Sequence, residues 1–409
     1  MPHTPPATAL SRPNAWRGVA AAMFACGWGG NQFTPLLLMY RRLGGYSALS
    51  VDAFLGAYVV GLVPGLLLAG PLSDRRGRRP VLVAGTIASA VASLVLCFGG
   101  HGAWPIYAGR LITGFAVGVA MAVGTSWVKE LSCGGDSGLP ARRASLCQTA
   151  GFGLGAGVAG ALAQWGPAPM VTPYVVHVLL TAAIPVLLLR VPETRPRLPL
   201  RGLLSALVDD LRVPAPARRR FRLVVLPMAP WVFGAAGLAY AVMPQLVGFR
   251  VGSWGLAYAT GLTVLTLGMG VAVQPVAKRL RGGAPVVAMS VMLLGAALCA
   301  ANAVVLSPWL AACAAAVLGA AYGVAVVSGL LEIQRMAGAD DLAGLTGVYY
   351  TLAYAGFLLP AVLATLSAWL SYPVMLAAVA AAALVCLGLV VTGARVTAIP
   401  VVAEGAKAP

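Results

Sequence analysis

Acidic residues are scarce in this chain of 409 residues: eleven Asp and Glu stand against 28 Lys and Arg, and charged residues of all kinds make up 10%. Metal-dependent diphosphate chemistry at a membrane surface needs clustered carboxylates. The only adjacent acid pairs are Asp209-Asp210 and Asp340-Asp341, each isolated from further acids. A polytopic membrane transferase is therefore a distant alternative, and no catalytic residues are expected. Histidine is nearly absent, with three in the chain, and the seven cysteines show neither a CxxC pair nor metal-ligand spacing. A metal site is not expected, and all cysteines but Cys133 read as small packing residues inside apolar runs. No phosphate-cradling glycine loop or catalytic triad is visible, which argues against a pump driven by its own ATP hydrolysis. No cofactor and no enzymatic activity are expected.

What the chain has instead is apolar surface. Hydrophobic residues make up 60% and the mean hydropathy is +0.88, more than one water-soluble core can hide, so lipid must cover the rest. Crossing about 30 Å of hydrocarbon takes about 20 apolar residues per helix. Reading apolar runs between charged or Pro/Gly breaks predicts twelve spans: 16–40, 52–71, 80–99, 104–130, 144–165, 172–191, 222–247, 253–276, 284–305, 308–334, 343–370 and 372–393. The Pro-rich start, Met1 to Asn14, precedes an apolar run with no evident cleavage site, so an uncleaved first span is expected.

The net charge of +17 invites a nucleic-acid reading, but the basic residues sit between the spans rather than on one soluble face. With the N-terminus in the cytoplasm, 24 of the 28 basic residues fall on that side, Arg41, Arg42 and Arg250 fall on the other, and Arg110 lies within a span. The positive-inside rule then places both termini in the cytoplasm of a cell whose plasma membrane holds the protein. The expected organisation is a tail 1–15, a six-helix bundle 16–191, a cytoplasmic linker 192–221, a second bundle 222–393 and a tail 394–409. Within the linker, Leu203 to Leu211 is either a short amphipathic surface helix or plain solvated chain.

Internal repetition supports two related halves. Gly114 to Gly124 aligns with Gly319 to Gly329 at an offset of 205, with six identities in eleven, and Ala150 to Ala156 aligns with Ala355 to Ala361 at the same offset, with five in seven. Two such bundles can rock about a shared interface and expose a midplane site to each side in turn.

The turn between the second and third spans reads Gly70-Pro-Leu-Ser-Asp74-Arg-Arg-Gly77-Arg-Arg-Pro80. It resembles the signature Gly-x-x-x-Asp-Arg-x-Gly-Arg-Arg/Lys of the major facilitator superfamily, matching every signature position, and the 6+6 layout extends the resemblance over nearly the whole chain. The implied fold is an all-α membrane protein of two pseudo-symmetric six-helix bundles. The implied role of Gly70, Asp74, Arg75, Gly77, Arg78 and Arg79 is a latch, with Asp74 meeting neighbouring arginines or the N-terminus of span eleven near Leu342. The matching turn of the second half has Lys278 where the first has Asp74, so the latch is asymmetric.

Arg110-Leu-Ile-Thr-Gly114 is similar to the family's Arg-x-x-x-Gly segment, which implies proton coupling or substrate contact for Arg110. A guanidinium inside a span either faces a cavity or partner, or snorkels to the interface. Gly151, Gly155 and Gly160 resemble the glycine motif associated with exporters, but Ala156 and Ala159 depart from it, and small residues also serve simple helix packing. No acid lies at the centre of a span. The remaining coupling candidates are Asp52, His177 and Glu332, with His177 read equally as a packed core residue. Asn31, Gln32, Trp231, Tyr240, Gln245, Tyr322, Tyr349, Tyr350 and Tyr354 are candidate cavity residues, and aromatics with few charges favour an amphipathic organic ligand. The expectation is a monomeric secondary transporter working by alternating access on a small molecule, with protons as coupling ion and efflux as direction. Uptake or facilitated diffusion of a neutral solute is the alternative.

Overall fold

A computed structural model describes residues 14–132, 139–196, 213–336 and 342–396. The expected surface helix Leu203–Leu211, both acid pairs, Cys133, the Lys278 side chain and the chain ends lie outside the described residues. Every regular element among them is helical, and eleven helices are long and apolar enough to cross a bilayer.

The expected first span is helical in pieces: α1 (Trp16–Asn31), a 3-10 turn at Thr34–Leu36, and α2 (Leu37–Arg42). The interruption follows the run Gly27-Trp-Gly-Gly and includes Pro35, so helix propensity is low where the break falls. The eleven spanning helices follow as α3 (Ala48–Arg76), α4 (Arg78–Leu96), α5 (Ala103–Leu131), α6 (Leu139–Trp165), α7 (Thr172–Leu189), α8 (Ala215–Arg250), α9 (Gly252–Ala277), α10 (Ala284–Val305), α11 (Pro308–Met336), α12 (Gly344–Leu366) and α13 (Tyr372–Val396). Ser47 caps α3, its Oγ accepting from the Ser50 N–H at 3.1 Å. Helix α8 begins seven residues before the predicted start at 222, inside the expected linker. The early start places Arg220 beside the buried acid Glu332, and its apolar stem can lie along the helices while its head is paired.

The helices alternate in direction, so the molecule has an Arg-rich end and an opposite end. Trp104, Trp165, Trp254, Trp309 and Trp369, all exposed, belong to the opposite end. Exposed indoles near helix ends are what a membrane interface selects. Leu179, Val304 and Val385 are likewise exposed, as lipid-facing side chains should be.

Close packing repeats along the chain. A Cβ added at Gly114 or Gly118 of α5 would overlap backbone atoms of Tyr58 and Leu62 in α3. One added at Gly319 or Gly323 of α11 would overlap backbone atoms of Thr266 and Gly270 in α9. Likewise Gly151 of α6 meets the Phe24 carbonyl of α1, and Gly356 of α12 meets the Pro230 carbonyl of α8. The corresponding glycines of the two halves, Gly114 and Gly319, Gly118 and Gly323, and Gly151 and Gly356, are each 205 positions apart. Such approach permits Cα–H···O contacts of about 0.5–1 kcal/mol each.

Candidate functional site

Polar groups interrupt the apolar packing at each end of the molecule and between. At the Arg-rich end, α3 turns into α4 at Gly77, whose φ of +97° is strained for any side chain. A Cβ there would also come within 2.6 Å of the Glu193 carboxylate. That carboxylate, from the chain leaving α7, accepts from the Arg78 N–H at 2.8 Å and the Arg79 N–H at 2.9 Å. It therefore caps α4 from a distant segment, satisfying N–H groups that the first turn leaves orphaned.

The buried Arg78 guanidinium lies 2.8 Å from Asp74 and 2.9 Å from Glu130 of α5. Arg195 adds contacts of 3.0 Å to Glu130 and 3.6 Å to Asp74. Arg79 donates to the Val191 carbonyl at 2.6 Å. The implied partner of Asp74 was neighbouring arginine or the start of span eleven; the structure places it on Arg78 and Arg195. Helix α3 does meet α12, where Leu67 faces Gly347. Gly70 has open space around it, so no close approach requires a glycine there.

Glu332, a coupling candidate, is 1% exposed and held between two cations, Arg220 of α8 and Arg335 at 2.8 Å. Arg220 engages both of its oxygens, a fork that fixes α11 to α8. His177 is buried, with Nδ1 2.8 Å from Ser93 Oγ and Nε2 2.9 Å from the Ala25 carbonyl. Gln32 donates to the same Ser93 hydroxyl at 2.8 Å, and Asn31 donates to the Phe152 carbonyl at 3.1 Å. These side chains tie the broken α1 to α4, α6 and α7 rather than joining the aromatic group described next.

Arg110 is 1% exposed in α5. Its guanidinium lies 4.6 Å from the Phe33 ring centroid and 4.5 Å from that of Tyr58. It donates to the carbonyls of Phe54 at 3.4 Å and Gly30 at 3.3 Å, and has no carboxylate partner among the described residues. From Tyr58, aromatic rings continue across the helix interface. Tyr58 meets Tyr354 at 6.3 Å and Phe357 at 6.4 Å, and Phe233 stacks on Tyr354 at 3.9 Å and on Phe357 at 4.8 Å. Tyr240, Tyr322 and Tyr350 border this group. Tyr349 instead turns into the α11 packing, its hydroxyl donating to the Ala325 carbonyl at 3.0 Å, and Trp231 makes none of these ring contacts.

At the opposite end the first and second halves of the chain are pinned together. Gln245 of α8 accepts from Arg41 at 2.9 Å and donates to the buried Asp52 of α3 at 3.1 Å. Arg42 donates to the carbonyls of Gly248 at 3.2 Å and Gly252 at 3.1 Å. Gln164 of α6 bonds the Ser253 carbonyl and the Ala257 N–H. Gln245 was expected to line a cavity; it is the hub of this junction.

A family model described as the Major Facilitator Superfamily matches residues 18–361. The chain belongs to the Major Facilitator Superfamily. In this superfamily member the signature turn is the Arg-rich cluster just described, and Arg110 sits at the aromatic interface. The gallate transporter of Pseudomonas putida is 35% identical over 124 residues, covering 30% of this chain and 26% of that protein. The 4-hydroxybenzoate transporter PcaK of Pseudomonas aeruginosa is 31% identical over 185 residues, 42% of this chain and 39% of that protein. A chloramphenicol resistance protein of the same species is 41% identical over 68 residues, 17% and 16% of the two chains. The matched stretches thus span well under half of these relatives. Among solved structures, a POT family transporter in complex with 5-aminolevulinic acid superposes with a TM-score of 0.75 at 12% identity, covering 94% of this chain and 97% of that one. The nucleoside transporter NupG gives 0.70 at 16%, covering 93% and 100%. These two likenesses establish the fold.

Several site residues are new relative to the sequence reading: Phe33, Tyr58, Phe233 and Phe357 around the aromatic group, Glu130, Glu193 and Arg195 in the Arg-rich cluster, and Arg41 and Arg42 at the junction. Scarcity of acid was the available signal, since Glu130 and Glu193 border the same basic end as the four-Arg turn.

Proposed function

We propose that this protein is a secondary transporter that carries a small aromatic organic compound by alternating access. The observation that carries the reading is the aromatic group from Tyr58 to Phe357, which joins α3, α8 and α12 beside the buried Arg110. A ring-bearing ligand can replace aromatic contacts across that interface as the halves separate. The repeated glycine contacts at an offset of 205 support two equivalent bundles, 16–191 and 222–393, with the broken segment 16–42 as a twelfth span. The Arg-rich end is assigned to the cytoplasm by the positive-inside rule. Gallate, 4-hydroxybenzoate and chloramphenicol, in the names of three relatives, each contain a benzene ring.

Asp52 is the coupling group in this reading, being the buried carboxyl at the junction that opens to the outside. Efflux has support in the name of the chloramphenicol resistance protein, matched over 68 residues; the alternative, uptake, uses the same cycle in reverse. Proteoliposomes with an imposed pH gradient test both points with labelled benzoate and labelled chloramphenicol. Gradient-driven accumulation that Asp52→Asn abolishes, while exchange across equal pH persists, supports the reading, and its sign gives the direction. Flux indifferent to the gradient removes proton coupling.

A further inference from the structure

We infer that the transported compound is a monoanion, an aromatic ring bearing one carboxylate, whose charge is taken by Arg110. The inference rests on the transport reading above and adds the charge and shape of the ligand. A guanidinium has five N–H donors in a planar fork. Arg110 uses two of them, on the carbonyls of Gly30 and Phe54 at 3.3 and 3.4 Å, both long for a charged donor. Its Nη2 has no hydrogen bond among the described residues. The side chain is nine-tenths buried and more, and the two rings that lie against it are neutral. Cation–π attraction to two neutral rings leaves the charge without a counter-ion.

The other acids among the described residues are committed. Glu332 is held by Arg220 and Arg335, Asp74 and Glu130 by Arg78 and Arg195, Glu193 by the start of α4, and Asp52 by Gln245. A neutral ligand would leave the Arg110 charge unbalanced, and a cation would add to it. A dianion would bring a second negative charge to a site that has one cation among the described residues. The Tyr58 ring lies against Arg110 and also meets the Tyr354 and Phe357 rings. A carboxylate on the guanidinium fork therefore places an attached ring on that aromatic face.

Equilibrium binding to the purified full chain in nanodiscs tests this without flux. Benzoate is compared with benzamide, its neutral isostere, with phthalate, a dianion, and with acetate, which keeps the charge and lacks the ring. The expected result is saturable benzoate binding at least tenfold tighter than that of the other three, lost in Arg110→Gln and partly kept in Arg110→Lys. A Tyr58→Leu variant should weaken benzoate without changing the acetate affinity. Equal affinity for benzoate and benzamide, or unchanged benzoate binding in a folded Arg110→Gln protein, overturns the inference. Benzoate binding with no flux in proteoliposomes would leave the anion site standing and sink the transport reading instead.

Discussion

Replacing Gln245 by Leu should open the end of the molecule that the structure shows pinned. The side chain makes two hydrogen bonds, each to an ionisable partner: 2.9 Å from Arg41 and 3.1 Å to Asp52. A hydrogen bond to a charged group contributes about 1.5–3 kcal/mol. Arg41 retains access to water and recovers part of its loss, whereas Asp52 is 2% exposed and has no other hydrogen bond among the described residues. The closed arrangement should therefore lose about 3 kcal/mol relative to the open one, in which both groups are hydrated. At about 1.4 kcal/mol per factor of ten, the open population rises roughly a hundredfold. The assay is the thiol reactivity of Gly56→Cys in an otherwise cysteine-free chain, because Gly56 faces Leu358 across the same interface, with 3.3 Å between an added Cβ and the leucine. Methanethiosulfonate modification should accelerate by about that factor in the Gln245→Leu background. Equal rates in both backgrounds, with both proteins folded, would refute the junction as a closing device.

Other substitutions probe the remaining sites. Gly77→Ala should destabilise by at least about 1–2 kcal/mol, from a φ of +97° and the overlap with Glu193, seen as a lower melting temperature in detergent. Glu193→Gln keeps one acceptor and should lose less stability than Glu193→Ala, where the α4 cap disappears at a cost of about 2 kcal/mol; equal melting temperatures would remove the cap from the account. Glu332→Ala leaves two arginines facing an uncharged pocket and should cost about 3 kcal/mol or more, with Glu332→Asp intermediate in the same melting series. Gly118→Val should prevent α5 from seating on α3 and abolish folded protein in size-exclusion profiles, as Gly323→Val should for α11 on α9.

Why some of this was legible in the sequence and some not follows from range. A spanning helix is a local statement, since twenty apolar residues in a row carry their own evidence, and ten of the eleven helices both begin and end within about five residues of their predicted bounds. Helix α8 is the exception at its start, because Arg218 to Arg220 read locally as linker, whereas in the structure they are helical and Arg220 pairs with the distant Glu332. The signature turn was visible as a motif, but Glu193 lies 115 residues from Arg78 in sequence, and no spacing rule links them. Aromatics were hardest. Tyr58 and Phe233 sit in continuous apolar runs with weak amphipathicity, so periodicity does not separate an interface ring from one facing lipid. Asn31 and Gln32 were noticed for their polarity, which the structure spends on holding the broken α1 against its own neighbours. Arg110 stood out because charge in a span is costly, and that cost is also what points to its anion.

The most direct trial of alternating access is double electron–electron resonance at both ends of the reconstituted protein. One spin pair belongs on the exposed positions Leu43 and Phe249 at the junction end, the other on Arg76 and Gln334 at the Arg-rich end. Added benzoate together with a pH step should lengthen one distance while shortening the other. Distances that stay fixed at both ends, or that grow together, would contradict a rocking mechanism.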